Sequence, residues 1–472
     1  MINNVRERKW LAIAALLPAV ALTFMDQTVL PVALPTIQRD LGATNIQLQW
    51  CVNAYLLAIA VFVLVSGKLS DRLGARNALC LGLTGFALFS ALGAISHNVN
   101  MLIGARGLQG LSAAFMFPAQ TALIARTFPQ ATRGRATGLI VSIGSLFLIL
   151  GPLIGGYLTE VASWHWIFWI NLPIAAIGLW MASLFLPKSE PGKEKIDRLG
   201  FVFFAIGSSS LTLFFMQAAD WGWGSLKSLT CIVLAVSAFF LLMKREKKTA
   251  HPFLDVKLFK RPIYAAINIS VAITQFILMI TVFQTIYFQE ILEYTPFQTG
   301  LILFVASSPV FFMAPIAGFL SDRLSPKLPI ALGYLALIYS FFWLGFFSTP
   351  SLSQLIVALL AFGMGVPLIF TPSYSSAISS VPPQKTGVAI GMITTLRMLG
   401  GTMGLALINL FVSTVQQSRL PIEGKRLAEI ASFSRVHFAL AFLLILAFAL
   451  TFTLHTRKSA HHLPDSPAEG WD

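Results

Sequence analysis

Fourteen long apolar segments follow one another along this chain and restrict the folds open to it. Windows of about 20 residues, the length of helix that crosses the apolar layer of a membrane, place them near 10–33, 48–66, 77–96, 101–125, 136–159, 166–186, 199–218, 226–243, 263–288, 299–320, 328–348, 353–378, 387–415 and 436–456. A segment inside a membrane must satisfy its own backbone hydrogen bonds, and a helix does so. We therefore predict an all-α integral membrane protein with fourteen transmembrane helices.

The composition excludes several other classes of protein. Of the 472 residues, 56% are hydrophobic and 11% are charged, whereas soluble domains have about 25% charged residues. A net charge of +14 would suggest nucleic-acid binding in a soluble protein. Here we ascribe it to cytoplasmic loops beside anionic lipid, and no nucleic-acid partner is expected. The sequence has no G-x4-G-K-[ST] loop and no metal-ligand spacing of His or Cys, so neither an ATP motor nor a metal or other cofactor is expected.

Basic residues predict the orientation of the segments. With the N-terminus inside, the inner connections hold 25 of the 33 Lys and Arg residues and the outer connections hold six. This asymmetry follows the positive-inside rule, so we expect a multi-pass protein of the cell membrane with both termini in the cytoplasm. The predicted outer loop 416–435 is the weak point, because it holds four of the six outer basic residues.

Two sequence patterns recur at nearly the same distance and indicate a duplication. Gly67-Lys-Leu-Ser-Asp71-Arg72-Leu73 recurs 251 positions later as Gly318-Phe-Leu-Ser-Asp322-Arg323-Leu324. Gly151-x3-Gly155 recurs 249 positions later as Gly400-x3-Gly404. Transporter folds are often built from such repeats, which here predict two bundles of six helices each.

Six and six leave two helices, which we place between the bundles. The predicted domains are an N-terminal bundle, 1–186, a linker with two inserted transmembrane helices, 187–262, and a C-terminal bundle, 263–472. Between 199 and 243 the only charged side chains are Asp220 and Lys227, both in the short outer turn. We therefore expect the inserted pair to be peripheral and to contribute nothing to a substrate cavity.

The segment near 136–157 carries small residues along one face. Helices in lipid associate by close backbone contact, so this face predicts a tight helix–helix seam. The proline inside the segment frees a backbone carbonyl and should bend the helix. We interpret the segment as a gating hinge, with an ordinary packed helix as the alternative. The residues assigned to the hinge are Gly144, Gly151, Pro152, Gly155 and Gly156.

These residues also resemble a known family. Gly144-x6-Gly151-Pro152-x2-Gly155-Gly156 is similar to the antiporter motif of the major facilitator superfamily. Trp164-His-Trp-Ile-Phe-x-Ile-Asn171-x-Pro173 is similar to the segment that follows this motif in the fourteen-helix drug/proton antiporters, a family of multidrug-efflux type. The resemblance implies the major facilitator fold, with two helices added to the twelve of the two bundles.

A second stretch resembles the signature loop of the same superfamily, between helices 2 and 3. It is Gly67-x-Leu69-x-Asp71-Arg72-x-Gly74-x-Arg76. The glycines allow a tight turn, and we expect Asp71 to cap the next helix while it attracts arginines across the interface between the bundles. The second copy has Ser325 in place of Gly74 and Lys327 in place of Arg76, which predicts a weaker contact between the bundles at that loop.

Asp26 lies well inside the first apolar segment, where a bare carboxylate costs about 2.5–3.5 kcal/mol. We expect such a residue to face an aqueous cavity. Its surroundings resemble the first-helix motif of the family, which implies a role in proton coupling. Arg106, in Leu102-Ile-Gly-Ala-Arg106-Gly-Leu-Gln109-Gly110, resembles the fourth-helix motif whose arginine is assigned to proton transfer. A static Asp26–Arg106 clamp between the two helices is the alternative.

Other polar residues within the spans are candidates for a substrate cavity. Arg397 would suit anionic or zwitterionic cargo, although pairing with a loop or with carbonyls is equally open. One aspartate and two arginines within the spans argue against large dications. The candidates for the cavity are Asn53, Tyr55, Gln109, Gln275, Gln284 and Arg397.

Taken with the resemblance, these residues predict a proton-coupled antiporter that exports small amphipathic organic compounds, such as drugs, dyes or a secreted metabolite. A proton-coupled importer of a small metabolite is the first alternative. An intramembrane enzyme is the second, but no set of His, Asp and Glu converges near one membrane face, so the chain is not expected to be an enzyme. The expected partners are protons, a small molecule and the lipid bilayer, with the protein as a monomer.

Overall fold

The computed structural model describes residues 5–188, 197–249, 253–254, 256–347, 349–381 and 386–450. Within these ranges the chain forms α-helices, one 3-10 helix and no strand. The first bundle contains α1 (Val5–Leu41), α2 (Asn45–Leu73), α3 (Ala75–Ala94), α4 (Val99–Thr127), α5 (Gln130–Val161), α6 (Trp166–Trp169) and α7 (Asn171–Phe185). The inserted pair is α8 (Arg198–Trp221) and α9 (Leu226–Glu246). After the 3-10 helix Val256–Lys260 come α10 (Pro262–Leu278), α11 (Ile280–Glu290), α12 (Pro296–Ser307), α13 (Pro309–Arg323), α14 (Lys327–Phe346), α15 (Leu352–Ser379), α16 (Thr386–Glu423) and α17 (Lys425–Leu450).

In the described ranges, fourteen stretches of helix are long and apolar enough to cross a membrane. This count confirms the prediction from the apolar windows, together with the all-α fold class. Three of the stretches consist of two helices in a row, namely α6 with α7, α10 with α11, and α12 with α13. The last two breaks fall at Met279 and Ser308, whose backbone angles are helical, so no loop intervenes.

We call the end of the molecule that the distribution of basic residues predicts to be outside the cell the outer end. The secondary structure at this end differs from the prediction. The expected loop 416–435 is wrong, because α16 continues to Glu423 and α17 begins at Lys425. Gly424 reverses the chain with a φ of +80°, a conformation that glycine adopts without steric cost. Polar side chains ended the apolar windows early, but a helix that leaves the apolar layer can continue in water.

The recurring glycines correspond to recurring contacts. A side-chain carbon added at Gly151 or Gly155 of α5 would collide with α1, and one added at Gly400 or Gly404 of α16 would collide with α10. The contact of α1 with α5 therefore has its counterpart in the contact of α10 with α16. One apolar core lies mainly among α1–α7 and another mainly among α10–α17. The domain boundaries at 186 and 263 remain predictions.

The inserted helix α8 is not peripheral, which corrects the sequence-based expectation. It packs against α2 and α16, one helix from each bundle, as well as against α9. Four of its buried side chains recur every four residues and form one stripe along the helix. Charge alone did not reveal this stripe, because its members are apolar or carry small hydroxyls: Phe204, Ser208, Thr212 and Met216. Of the inserted pair only α9 is peripheral to the two bundles. Its exposed apolar side chains lie on the face turned away from α8.

Polar contacts fix the inner ends of the inserted pair. Asp197 caps α8 by accepting a hydrogen bond from the Gly200 amide at 3.0 Å and forms an ion pair with Arg245 of α9 at 2.7 Å. Burial alone would raise the pKa of Asp197, but the hydrogen bonds from Arg245 and Gly200 outweigh it and hold this pKa below its usual value. Glu246 accepts the amides of residues 253 and 254 at 3.0 and 3.1 Å. The start of α8 and the end of α9 are thus bonded to each other, and the end of α9 is also bonded to residues 253 and 254.

Candidate functional site

Asp26 and Arg106 form an ion pair between α1 and α4. The Arg106 Nη1 atom donates to Asp26 Oδ2 at 2.7 Å, and each side chain is 2% exposed. Both interpretations of the two residues, proton coupling and static clamp, require this pair. The expectation that Asp26 faces an aqueous cavity is wrong for this conformation, because the arginine covers the carboxylate.

The guanidinium of Arg106 has further partners in the same bundle. Its Nε atom donates to the Cys51 carbonyl of α2 at 3.0 Å, and Nη1 donates to Gln109 Oε1 at 2.7 Å. The ring of Tyr55 lies under the guanidinium, with its centre 4.3 Å from Cζ. A buried guanidinium keeps its charge, so these partners hold a permanent cation beside Asp26.

A chain of amides and one hydroxyl extends the ion pair to two more helices. Gln109 Nε2 donates to Asp26 Oδ1 and to Ser90 Oγ of α3, each at 3.3 Å. Asn171 Nδ2 of α7 donates to the same Ser90 oxygen at 2.9 Å. The sequence singled out Asn171 only as part of a motif and missed Ser90, because a lone serine in an apolar span gives no signal. Five helices of the first bundle thus meet at this network.

The hinge residues of α5 pack mostly on α1, in the same bundle. Gly144 lies against the ring of Phe24, and Gly151 and Gly155 lie against Thr28 and Val29 in the following turn of α1. Thr28 Oγ1 donates to the Leu148 carbonyl at 2.9 Å. Leu148 lies four residues before Pro152, so this is the carbonyl that the proline leaves without its helical donor. A side chain of α1 therefore satisfies the bond that Pro152 removes from α5.

Gly156 faces the other way, across the interface between the bundles. A side-chain carbon there would collide with the Pro296 carbonyl at the start of α12, and one at Gly300 of α12 would collide with the Pro152 carbonyl. Glu160 accepts the Phe297 amide at 2.8 Å just beyond this contact. The outer end of α5 is therefore closed against α12, with backbone on backbone.

The signature loop is a tight turn, as its glycines predict. Gly74 has a φ of +85° and is both the last residue of the turn and the N-cap of α3. The N-cap of α3 is Gly74, which has no side chain to cap the helix, and capping by Asp71 stays a prediction. Asp71 and Arg72 lie exposed, and Gly67 touches Pro118 of α4. Arg76 donates to the carbonyls of Ser183 and Leu186 at 2.7 and 3.3 Å, and a cation is favourable at that C-terminus of α7.

The six residues predicted to form a substrate cavity divide equally between the two bundles, and the cavity itself stays a prediction. Tyr55 and Gln109 belong to the ion-pair network. Asn53 donates to the Thr402 carbonyl of α16 at 3.3 Å and touches the sulfur of Met216 in α8.

The other three lie in the second bundle. The Gln284 amide bonds to the ring of the buried His437 at 3.0 Å. Gln275 is 6% exposed and lies beside Gly401. Arg397 lies 5.9 Å from the centre of the Phe370 ring. The burial of Gln275 and Gln284 indicates packing between helices in this conformation, whereas Arg397 is partly exposed.

A cavity of about 700 Å³ opens instead at the outer end, and none of those six residues lines it. Its walls come from both bundles and from the inserted helix: the start of α2, the end of α8, α11, and the adjoining ends of α16 and α17. The sequence did not predict it, because the two last walls were expected to be a loop and α8 was expected to lie elsewhere. Volumes of about 300–1,000 Å³ are usual for sites that hold drug-sized ligands.

Comparison with known families agrees with this architecture. Residues 16–405 match the model of the family described as Major Facilitator Superfamily. The chain belongs to the major facilitator superfamily. Relatives of the chain are named as transporters or as resistance and export proteins, so the chain is a membrane transporter of small molecules and not an enzyme.

Three relatives illustrate the range of named cargoes. The multidrug resistance protein Stp of Mycobacterium tuberculosis (strain CDC 1551 / Oshkosh) is 30% identical over 391 residues, which cover 82% of this chain and 72% of Stp. The tetracenomycin C resistance and export protein of Streptomyces glaucescens is 29% identical over 87% of this chain and 77% of its own length. The riboflavin transporter RibZ of Clostridioides difficile (strain 630) is 31% identical over 86% and 88%.

Proposed function

We propose that this transporter exports small amphipathic organic compounds in exchange for protons. The observation that carries the proposal is the ion pair of Asp26 and Arg106, buried in the first bundle and linked to five helices. Ionisable groups at such depth are expensive and typically mark a pathway for ions or substrate. The relatives named for drug resistance and export support the direction of transport.

In the proposed cycle Asp26 carries the proton, because Arg106 cannot release one. Protonation removes the charge that binds the guanidinium, which then keeps only Cys51, Gln109 and Tyr55 as partners. A buried cation that loses its counter-ion is destabilised, in soluble proteins by about 3–5 kcal/mol. The protonated carboxyl group therefore favours a different arrangement of α1 and α4.

Helix α1 can pass this change to the interface between the bundles. One of its faces carries Asp26 to α4, and a neighbouring face, with Thr28, lies against the glycines of α5. The outer end of α5 in turn closes on α12 through Gly156. We infer that a shift of α1 relative to α4 moves α5 and opens or closes this contact, which gives the hinge residues their role.

The remaining parts of the proposal follow from the sequence. From the charge asymmetry of the connections we propose that the protein lies in the plasma membrane with both termini in the cytoplasm. We expect a monomer that exchanges protons and a small organic molecule and binds no nucleic acid. The domains 1–186, 187–262 and 263–472 are proposed as its two bundles and inserted segment.

Transport by proteoliposomes with an imposed pH gradient tests the function. A panel of riboflavin, puromycin and ethidium should include a compound that wild-type protein concentrates against its gradient when protons flow the other way. Asp26→Asn, which mimics the protonated carboxyl group, should abolish this uphill transport and leave downhill exchange. Glu293→Gln, at an exposed outer residue, is the matched control and should transport as wild type does. Uphill transport by Asp26→Asn would show that Asp26 does not couple protons and that its pair with Arg106 is a static clamp. Movement of cargo in the same direction as the protons would indicate an importer.

A further inference from the structure

His437 of α17 is a titratable residue of the second bundle that the proposed proton cycle does not use. Its side chain is buried, with 0% exposed. The Nδ1 atom lies 2.7 Å from the Phe433 carbonyl oxygen, and the Nε2 atom lies 3.0 Å from the amide nitrogen of Gln284 in α11. Because a carbonyl only accepts hydrogen bonds, Nδ1 carries a hydrogen. Nε2 then accepts a hydrogen bond from Gln284, and the ring is neutral.

The side chain of Gln284 also suits the protonated form of this ring. Its Oε1 atom is buried and has no hydrogen-bond partner. A rotation of the amide group by about 180° exchanges its oxygen with its nitrogen and presents an acceptor to Nε2 of the ring. The amide can thus donate to a neutral imidazole and accept from an imidazolium. His437 can therefore gain or lose a proton at Nε2 and keep both of its hydrogen bonds.

The surroundings of His437 provide no counter-ion for a proton bound there. The adjacent rings are those of Phe433 and Phe341, whose centres lie 4.1 and 5.5 Å from the centre of the imidazole. On α17 and on the helices that pack against it, α10, α11, α14 and α16, the other titratable or charged side chains that the structure describes as at least partly buried are those of Tyr264, Tyr287, Lys327, Tyr334, Arg397, Arg419 and Glu429. None of them forms an ion pair or a hydrogen bond with the ring. A protonated His437 is therefore unfavourable in this conformation, since a buried charge without a partner is costly.

Two stacked rings separate the imidazole from the outer cavity. Tyr287 of α11 stacks on Phe433 with 3.9 Å between the ring centres and 16° between the planes, and both residues line the cavity. Glu290 and Glu429 also line it, about two turns further out on α11 and α17. Separation of α11 from α17 would therefore expose the imidazole to water and bring it into reach of the potential of two carboxylates.

Helix α11 also helps to close the outer end between the bundles. Gln289 Nε2 donates to the Val32 carbonyl of α1 at 2.8 Å. At its inner end α11 is separated from α10 by the break at Met279, and an interruption of this kind often marks a hinge. A tilt of α11 at Met279 would thus change its contacts with α17 and with α1 together.

We propose that His437 is a proton-binding site reached from the outer cavity, and that its protonation opens the outer end by releasing α11 from α17 and α1. A proton passes from water in the cavity to Nε2 of the ring, and the amide of Gln284 turns its oxygen toward the new N–H group. Because the closed conformation disfavours the imidazolium, the bound proton shifts the population toward the conformation in which the ring meets water. Acid outside the cell then favours opening to the outside, whether or not Asp26 couples protons to export.

The distance between the bundles at the outer end, measured by pulsed EPR on the purified full-length protein in detergent, tests the inference without transport. Spin labels are attached to single cysteines at Arg39 and Glu293, exposed positions beside the outer ends of α1 and α11, in a chain without its three native cysteines. This parent protein also carries Asp26→Asn, so that titration of Asp26 contributes nothing. Acidification from about pH 8 to about pH 5 should raise the ratio of open to closed molecules about tenfold, because an imidazole in water takes up its proton near about pH 6.5.

Three variants of the parent protein assign this response to His437. His437→Gln removes the titrating group and should abolish the response. Gln284→Glu places a carboxylate beside the ring, so the imidazolium is paired in the closed conformation and the ratio should change by less than about twofold. His97→Gln removes an exposed histidine at the outer end; it is the matched control and should respond as the parent does.

The outcomes separate this inference from the proposed function. Opening in acid that is lost in His437→Gln and kept in His97→Gln supports the proton site, even if no pH gradient drives transport. Equal opening in His437→Gln and in the parent, or no opening in the parent, would overturn it, whatever transport shows. If His437→Gln does not fold, Gln284→Glu decides: a lost response supports the inference, and an undiminished response overturns it, because an unpaired buried charge would then not be the driving force.

Discussion

The bond between Thr28 and the Leu148 carbonyl permits a quantitative test of how α1 supports the hinge. Thr28→Val keeps the shape of the side chain and removes the donor that lies 2.9 Å from this carbonyl. Hydrogen bonds between membrane helices contribute about 0.6 kcal/mol on average and up to about 1.7, and an unsatisfied buried carbonyl costs about 1–3 kcal/mol. Because Leu148 is partly buried, we expect Thr28→Val to lower the free energy of unfolding by about 1 kcal/mol.

The proline makes this expectation specific. In Pro152→Ala, residue 152 regains an amide that can donate to the Leu148 carbonyl within α5. The hydroxyl of Thr28 is then redundant, so Thr28→Val should cost little in the Pro152→Ala background. The four proteins form a double-mutant cycle, measured by reversible unfolding in mixed detergent and SDS micelles. An equal cost of Thr28→Val in both backgrounds would refute the account in which α1 satisfies the carbonyl that Pro152 frees.

Three further predictions concern the interface, the inserted pair and the topology. Gly156→Leu should keep α5 from closing on α12 and reduce transport at least tenfold. Gly104→Leu is the control and should transport normally, because a side-chain carbon added at this helical glycine would have no atom within 4 Å. Equal transport rates in the two variants would show that the contact of α5 with α12 is ordinary packing. The lowered pKa of Asp197 means that its stabilising contribution is complete above the ordinary value of about 3.9 and is lost as the pH falls below it, so the thermal stability of Asp197→Asn should change less than that of wild type in acid. Single cysteines at Gly42 and Ser325, in a chain without its three native cysteines, should react from opposite sides of the membrane, and reaction from one side would contradict the proposed orientation.

The sequence predicted those features that depend on hydropathy and on repeated patterns. Apolar length alone located the fourteen spans, because a helix must bury its backbone polar groups wherever it crosses lipid. The pair of Asp26 and Arg106 was predictable for a related reason, since each was the nearest opposite charge at its depth in the first bundle. The small residues of α5 predicted a seam, but they could not tell which glycines face α1 and which face α12.

Features that depend on which helices meet were out of reach. The stripe on α8 from Phe204 to Met216 carries no charge, so nothing in its composition distinguished an interface from a lipid-facing surface. The polar ends of α16 and α17 have the composition of a loop, and their helical structure brings Glu429 into the outer cavity. Ser90 joins the ion-pair network only because α3 packs against both α4 and α7 there.

Proton release on cargo binding tests the coupling role of Asp26 most directly. Purified protein in weakly buffered detergent is mixed with a transported compound from the panel, and the change in pH is followed with an indicator dye. If Asp26 exchanges its proton for cargo, wild type should release protons in proportion to the cargo bound, at a pH where the free protein is protonated. Asp26→Asn should bind the compound and release none, whereas Glu293→Gln should match wild type. Proton release from Asp26→Asn equal to that from wild type would contradict the account and leave the ion pair as a structural clamp.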